Sequence, residues 1–316
     1  MADASAAPFT ARKAGSGPAA AGRPGIGARA LAASLPDLII AARRVAASIA
    51  PGWHGRRRAG AGEGFWQFRP FLSGEPAHRV DWRRSARDEH LYVREREWEA
   101  PHTLWLHADL SASMAYRSPL AAVTKRERAV LLLLALAELA GRAGEKVGLA
   151  GLTPAIAHRH ASERLALALA AAPEDAAGTL PPPAAFGPGH DLVLIGDFLD
   201  PVESLAAFLS AAAGRGVQGT LVQVLDPSEE SFPFDGRTEF RDPETDLRLT
   251  AGRAEDWRAG YRQRLEAHRA ALGAAVRAAG WTLIVHHTDR PASEALIALH
   301  GALSGSPGGR AGGMVR

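Results

Sequence analysis

Cysteine is absent from the 316-residue chain. Its absence excludes disulfide scaffolds, zinc–thiolate knuckles, iron–sulfur clusters and cysteine nucleophiles. A metal ion bound by this protein must therefore be held by oxygen or imidazole ligands, and a hard cation is the first expectation. Long apolar runs are also missing, because the most apolar early stretch, residues 31–50, is interrupted by Pro36, Asp37, Arg43 and Arg44. A membrane span does not tolerate such interruptions, so we expect a cytoplasmic protein.

Basic residues are only slightly more numerous than acidic ones, with 37 Lys and Arg against 34 Asp and Glu. A net charge of +3 is too small to indicate a nucleic-acid partner by itself. The first hundred residues are the most basic part of the chain, but acidic residues are interleaved among the arginines. This pattern favours structural ion pairs on a solvated face. The hydrophobic content of 47% is sufficient for a globular core.

The chain divides into four segments by composition and periodicity. Residues 1–30 are rich in Ala, Gly, Pro and Ser and are predicted to be a disordered tail. Residues 31–100 predict a helix starting after Pro36 and then a small β-rich N-terminal addition. Residues 101–303 alternate apolar strands with helical patterns, and 304–316 predict a flexible tail. Such alternation predicts an α/β fold, with a doubly wound, mainly parallel, Rossmann-type sheet covered by helices on both faces.

Two of the predicted strands are followed by an aspartate. Asp109 begins the pattern Asp-x-Ser-x-Ser together with Ser111 and Ser113, and Asp197 follows another apolar run. Ligands of open parallel sheets bind beyond the carboxyl ends of the strands, so these side chains are expected to lie close together. Carboxylates and hydroxyls suit Mg²⁺, which keeps several waters and needs few protein ligands. An Asp followed by Ser also caps helices and forms turns, but the position after a strand and the second aspartate favour a metal site.

This pattern resembles the metal-ion-dependent adhesion site of the von Willebrand factor A fold. The corresponding residues of this chain are Asp109, Ser111, Ser113, Thr179 and Asp197, of which Asp197 would act on the metal ion directly or through water. Thr179 is matched through Gly178-Thr179-Leu180, with Thr153 as the alternative threonine. The resemblance implies a bound Mg²⁺ ion, replaceable by Mn²⁺ or Ca²⁺. It also implies an open coordination position that accepts an acidic residue of a protein partner.

A second resemblance covers nearly the whole chain after residue 35. Four blocks, at residues 68–76, 79–87, 92–95 and 109–114, resemble the bacterial family called domain of unknown function 58 in order and spacing. One departure is Gly74-Glu75, where the family often has Gly-Asp. Members carry a von Willebrand factor A-like domain and commonly accompany MoxR-type AAA+ ATPases. The resemblance implies a non-enzymatic, metal-dependent protein-interaction module that acts with such an ATPase in chaperone-like complex assembly or maturation.

Two other function classes stay open as alternatives. Asp109 after a strand is also typical of haloacid dehalogenase-type phosphatases, but those carry a second Asp where this chain has Ser111. The sequence has no Gly-x-Ser-x-Gly elbow, Walker loop or Rossmann glycine fingerprint at a strand-to-helix junction. We therefore expect no enzymatic activity, with a metal-dependent hydrolase using Asp109 as one alternative. The other is a nucleic-acid-binding protein that uses the basic N-terminal part.

Overall fold

The computed structural model describes residues 26–50, 58–60, 64–72, 75–87, 89–98, 102–172, 180–245 and 247–305. In chain order the helices and strands are α1 (Ile26–Ile49), β1 (Arg58–Gly60), β2 (Gly64–Pro70), α2 (Trp82–Ser85), β3 (Tyr92–Trp98), β4 (Thr103–Ala108), α3 (Lys125–Arg142), β5 (Lys146–Leu149), β6 (Ile156–Ala157), α4 (Ala161–Ala171), β7 (Asp191–Gly196), α5 (Val202–Gly214), β8 (Gln218–Leu225), α6 (Pro227–Ser231), β9 (Thr238–Arg241), β10 (Arg248–Ala251), α7 (Arg258–Ala278), β11 (Thr282–His287) and α8 (Ala292–Gly305). Within these residues, none of the helices combines the length and apolarity that crossing a membrane requires.

A six-stranded sheet in the order β11-β8-β7-β4-β5-β6 forms the centre of the fold. The first five strands in this order are parallel, and the short β6 pairs antiparallel with β5 at one edge. After β4 the chain runs through α3 to β5, which pairs with one edge of β4. It later runs through α4 to β7, which pairs with the opposite edge of β4. The strand order therefore reverses between β4 and β7, which is where doubly wound sheets form their crevices. The predicted α/β class with a mainly parallel sheet is confirmed.

Helices cover both faces of this sheet. Along β7, Val193 faces the core shared with α1, α3, α4 and α8, while Leu192 and Leu194 face the core shared with α5 and α7. All three side chains are fully buried. A strand buried on both faces reads as a continuous apolar run, as the sequence of β7 does. Burying each such side chain stabilises the fold by roughly 1.5–3 kcal/mol.

The sequence Thr124-Lys125-Arg126-Glu127 has the spacing of a capping box and predicts a helix start, and this capping box is present at the head of α3. The Thr124 side chain accepts the Glu127 backbone N–H at 3.0 Å, and the Glu127 carboxylate accepts the Thr124 N–H at 2.8 Å. The reciprocal bonds satisfy two of the backbone donors that a helix start leaves open. Because α3 follows the loop after β4, this cap fixes the start of the helix beside the sheet edge.

Helix α1 begins earlier than its sequence indicates. We predicted a helix starting after Pro36, but α1 begins at Ile26 and includes the proline, so that prediction was wrong. Of the predicted disordered tail, residues 26–30 belong to α1, and residues 1–25 lie outside the described residues. A proline inside a helix loses one backbone hydrogen bond and disfavours the turn before it. Packing outweighs this cost, because Leu35 and Ala42 are buried against the core formed with α3, α4 and α8.

The N-terminal addition is β-rich, as predicted, with a three-stranded antiparallel sheet in the order β1-β3-β2. Charges on both faces of the run Leu91 to Glu99 predict an edge or ribbon strand that needs partners, but β3 lies in the centre of this sheet with a partner on each side, so the edge position was wrong. The arginine-rich block has structural contacts here. Asp81 accepts the Arg84 backbone N–H at the start of α2, and the Arg84 guanidinium lies 4.7 Å from the centre of the Tyr92 ring.

Asp-Gly and Asp-Pro turn signals between Phe232 and Leu249 predict a hairpin-like excursion, and β9 and β10 form an antiparallel hairpin there. Phe232 and Phe240 stack with ring centres 5.6 Å apart, and Phe234 and Tyr261 pack around them. This aromatic cluster places the hairpin near the carboxyl end of the sheet, where it forms one wall of a cavity described below.

Candidate recognition site at the sheet edge

Asp109 and Asp197 lie side by side at the carboxyl ends of β4 and β7. The Asp109 backbone N–H donates to the Ile195 carbonyl at 2.8 Å, which continues the pairing of the two strands by one residue. Gly196 allows this approach, since a Cβ atom at that position would lie 3.1 Å from the Asp109 Cβ. The strand order thus brings the two predicted aspartates into one crevice.

The two serines complete a hydrogen-bonded chain between these aspartates. Asp109 Oδ1 accepts the Ser111 backbone N–H at 2.8 Å, and the hydroxyls of Ser111 and Ser113 lie 3.0 Å apart. Ser113 Oγ donates to Asp197 Oδ2 at 3.0 Å. Four of the five predicted metal ligands therefore come together at one place.

The fifth predicted ligand, Thr179, lies outside the described residues. The alternative, Thr153, follows β5 and accepts the Leu149 backbone N–H with its hydroxyl at 2.9 Å. This contact is local to its own turn, so Thr153 has a structural role there.

Sequence reasoning missed Lys125, the first residue of α3. Its ammonium donates to Asp197 Oδ2 at 2.8 Å and to Glu229 Oε1 at 2.6 Å, and the residue is only 1% exposed. The lysine lies inside the Thr124-Lys125-Arg126-Glu127 pattern that predicted the helix start. That pattern explains the cap but gives no signal for the partners of the lysine, which are distant in sequence.

Helix α6 positions the second partner of this lysine. Asp226 and Glu229 form a capping box in which Glu229 Oε2 accepts the Asp226 backbone N–H at 2.7 Å. The other carboxylate oxygen is thereby directed to Lys125. Asp226 also accepts the Ser118 N–H from the loop before α3 at 2.8 Å. The Lys125 ammonium thus connects the end of β7 with α6, which follows β8, and the Asp226 carboxylate connects α6 with the loop after β4.

Two further contacts hold the loops of the site. Arg126 donates to the carbonyls of Leu110 and Ser111 at 2.8 and 2.7 Å, which anchors the Asp-x-Ser-x-Ser loop to α3. On the other strand, Phe198 directly follows Asp197 and has a φ of +48°. This left-handed conformation costs a non-glycine residue about 1–2 kcal/mol. The backbone of Phe198 is also held from α7, because His268 Nε2 lies 2.7 Å from the Phe198 carbonyl oxygen.

Burial and like charges act on the acidic groups of the site. Burial raises the pKa of Asp109, the charges of Asp197 and Glu244 raise it further, and the hydrogen bonds from Ser111 oppose the shift. Burial alone would lower the pKa of Lys125, but the attraction of Asp197 and Glu229 outweighs it and raises the pKa above its usual value. The lysine is therefore a cation at neutral pH.

An open cavity of about 780 Å³ lies over Ser113, Lys125 and Asp197. Its walls combine acidic side chains with the aromatic cluster of the hairpin. The acidic lining residues are Asp197, Asp200, Glu229, Asp242 and Glu244, against the basic Lys125 and Arg241. Burial raises the pKa of Asp200, and the charges of Glu244, Asp197 and Asp242 raise it further. The cavity thus has a negative potential that is not fully neutralised.

In this arrangement the predicted ligand Asp197 could bind Mg²⁺ directly through Oδ2 only if a hydrogen-bond donor moved away. Mg²⁺ requires oxygens that can approach to about 2.0–2.1 Å in octahedral geometry. The Asp197 oxygen nearest to the serines already accepts from both Ser113 and Lys125. Among the residues that the structure describes, no group of three or more Asp, Glu or His side chains is arranged to hold a metal ion.

The motif blocks and the sheet-edge site both lie within a segment that matches a known family. The profile of the family described as "Protein of unknown function DUF58" matches residues 67–271, more than half of the chain. The chain belongs to the DUF58 family. The relatives of this DUF58 protein include an uncharacterized protein of Mycobacterium bovis and one of Mycobacterium tuberculosis strain H37Rv. Each is 27% identical over 278 residues, with 82% of this chain and 86% of the relative covered.

Two solved structures from Bacteroides are similar to part of the DUF58 protein. One is the conserved hypothetical protein BatB from Bacteroides thetaiotaomicron, with 16% identity and a TM-score of 0.42. The other is an aerotolerance-related membrane protein from Bacteroides fragilis, with 17% identity and a TM-score of 0.44. Each match covers 64% of this chain, and 97% and 98% of the respective structures.

Proposed function

We propose that this DUF58 protein is a non-enzymatic protein-recognition module, with a von Willebrand factor A-like domain whose binding site is the sheet-edge cavity. The observation that carries the proposal is the convergence of Asp109, Ser111, Ser113 and Asp197 beneath an open cavity at the strand-order reversal. A partner class, the MoxR-type AAA+ ATPases, is proposed from the family resemblance alone. The corresponding activity is chaperone-like assembly or maturation of a complex.

The charge of the cavity supports a partner segment that carries Lys or Arg. An acidic partner residue was expected because a Mg²⁺ ion would offer it an open position. Without such an ion, the five acidic lining residues against two basic ones repel a carboxylate. A cationic side chain would instead meet complementary charge, and the rings of Phe234 and Phe240 in the wall offer faces for its stem or its cation. The Mg²⁺ ion remains a prediction, and the basic partner segment is proposed for the site without that ion.

Binding of a purified MoxR-type AAA+ ATPase from the same organism tests the proposal. Calorimetry would compare the wild-type protein with the double variant Asp200→Asn/Glu244→Gln, which removes two charges from the cavity wall. We expect at least tenfold weaker binding, or about 1.4 kcal/mol, and a smaller salt dependence in the variant. Glu203→Gln/Glu294→Gln is the matched control, because these exposed residues lie outside the cavity lining.

Four outcomes decide between the function classes and test the predicted metal ion. Equal affinities in the two double variants, or no binding by the wild type, would refute the recognition site as placed here. Turnover of a generic phosphate ester that Asp109→Ala abolishes would favour the hydrolase alternative instead. A steeply salt-dependent shift with DNA or RNA would favour the nucleic-acid alternative. Binding that EDTA abolishes and Mg²⁺ restores would support the predicted metal ion.

A further inference from the structure

The contacts of Lys125 are unusual for a lysine. The side chain is 1% exposed, and those of its partners Asp197 and Glu229 are 7% and 15% exposed. Lysine is seldom fully buried unless it is paired. Its position in the first turn of α3 does not account for it, since the helix macrodipole disfavours a cation there. The two carboxylates from β7 and α6 are therefore the reason for its burial.

We propose that the Lys125 ammonium is the resident cation of the sheet-edge site, so that this site keeps its arrangement without a divalent metal ion. The inference concerns the same site as the proposed function, but it does not depend on which partner binds there. The motif Asp109-x-Ser111-x-Ser113 predicts that Mg²⁺ supplies the positive charge of this site. In our inference the Lys125 ammonium supplies that charge in place of Mg²⁺.

The geometry at Asp197 supports this assignment. Its Oδ2 atom accepts from the Ser113 hydroxyl at 3.0 Å and from the Lys125 ammonium at 2.8 Å. A divalent ion on that oxygen would have to displace at least one of these donors, because a carboxylate oxygen offers two lone pairs. It would also lie directly beside a buried ammonium in a low-dielectric environment, where repulsion between like charges is strong. A metal ion and Lys125 are therefore competitors for Asp197.

Other contacts hold the lysine at this position. Glu229 cannot turn away without breaking the capping box with Asp226, because its second oxygen accepts that residue's N–H at 2.7 Å. The Tyr116 ring centre lies 5.9 Å from the ammonium, and the Tyr116 hydroxyl is 2.9 Å from the Ser228 hydroxyl of α6. The surroundings of Lys125 thus consist of two fixed carboxylates and an aromatic face, which suits an ammonium ion.

Thermal unfolding of the full chain in EDTA and in excess MgCl₂ tests the inference. We expect the same melting temperature for the wild type in both conditions. Lys125→Met should lower the melting temperature in EDTA by on the order of 10 °C, since two buried carboxylates lose their counter-ion. Mg²⁺ should restore part of this loss, and adding Asp197→Asn should abolish the restoration. Lys146→Met is the control, because it removes an exposed lysine.

A Mn²⁺ titration of the wild type, followed by electron paramagnetic resonance, keeps the inference testable if Lys125→Met does not fold. If the inference is right, the wild type shows no saturable Mn²⁺ binding that depends on Asp197, so the Asp197→Asn variant gives the same titration curve. Saturable Mn²⁺ or Mg²⁺ binding that is lost in Asp197→Asn would overturn the inference, as would a Lys125→Met variant as stable as the Lys146→Met control. Failure of the ATPase to bind would leave these readouts unaffected, so the two proposals fail separately.

Discussion

Buried His286 makes the stability of this protein sensitive to acid, and one substitution should reduce that sensitivity. The side chain is 4% exposed, and its Nε2 atom has no hydrogen-bond partner among the residues that the structure describes. Burial, then the charges of Arg128 and His287, lower its pKa from 6.5 to about 4, against a small opposing effect of Asp289. Since the unfolded chain takes up this proton more readily, stability is retained above pH 6.5 and lost as the pH falls towards 4.

The difference between a pKa of 6.5 and one of about 4 corresponds to roughly 3 kcal/mol, at 1.36 kcal/mol per unit. His286→Leu should remove this part of the acid sensitivity and leave stability at pH 7 similar or higher, because it replaces a buried unpaired imidazole with an apolar side chain. Urea unfolding between pH 7 and pH 4 measures the effect as the difference between variant and wild type. His78→Leu, at an exposed position, is the control.

Other titrating groups are common to the wild type and the variant, so their contributions cancel in this difference. The reasoning is refuted if the His286→Leu variant and the wild type lose stability in parallel as the pH falls. It is also refuted if His78→Leu produces the same change, because an exposed imidazole experiences little of the desolvation on which the prediction depends.

Two further predictions concern close contacts. Gly219→Ala would place a Cβ atom 2.3 Å from the buried Trp281 ring and should lower the free energy of unfolding by about 1–3 kcal/mol in urea titrations. Gly252→Ala should not lower it, because the added Cβ atom meets none of the described residues within 4 Å. Arg126→Met should lower it by about 1.5–3 kcal/mol and speed hydrogen exchange in the loop around Ser111. Unchanged exchange there would contradict the anchoring role assigned to the Arg126 hydrogen bonds.

The sequence was sufficient to predict where the site lies. Asp109 and Asp197 each end an apolar run, and parallel strands bring their carboxyl ends to one edge, so the convergence of the two followed from periodicity and topology rules. The capping box of α3 was also readable, because its two partners are three residues apart. Features that depend on local spacing and on the direction of strands are therefore accessible without a structure.

Contacts between distant segments were not accessible in this way. Lys125 and Glu229 are 104 positions apart, and each also belongs to a helix-start pattern that gives it a sufficient local explanation. The predicted start of α1 after Pro36 was wrong for a related reason. A proline locally disfavours a helix, but α1 is stabilised by packing against helices far along the chain. In both cases tertiary contacts outweighed a correct local rule.

The charge of the site is the property that the motif alone could not determine. Asp-x-Ser-x-Ser specifies oxygen atoms around a point, and either a hydrated divalent ion or an ammonium can satisfy such oxygens. The choice depends on what the neighbouring strand ends and helices supply, and here they supply Lys125 with a second carboxylate. An ammonium adds one positive charge where Mg²⁺ would add two, and it leaves no open coordination position. The cavity above it consequently remains negative, and for this reason we infer a basic rather than an acidic partner segment.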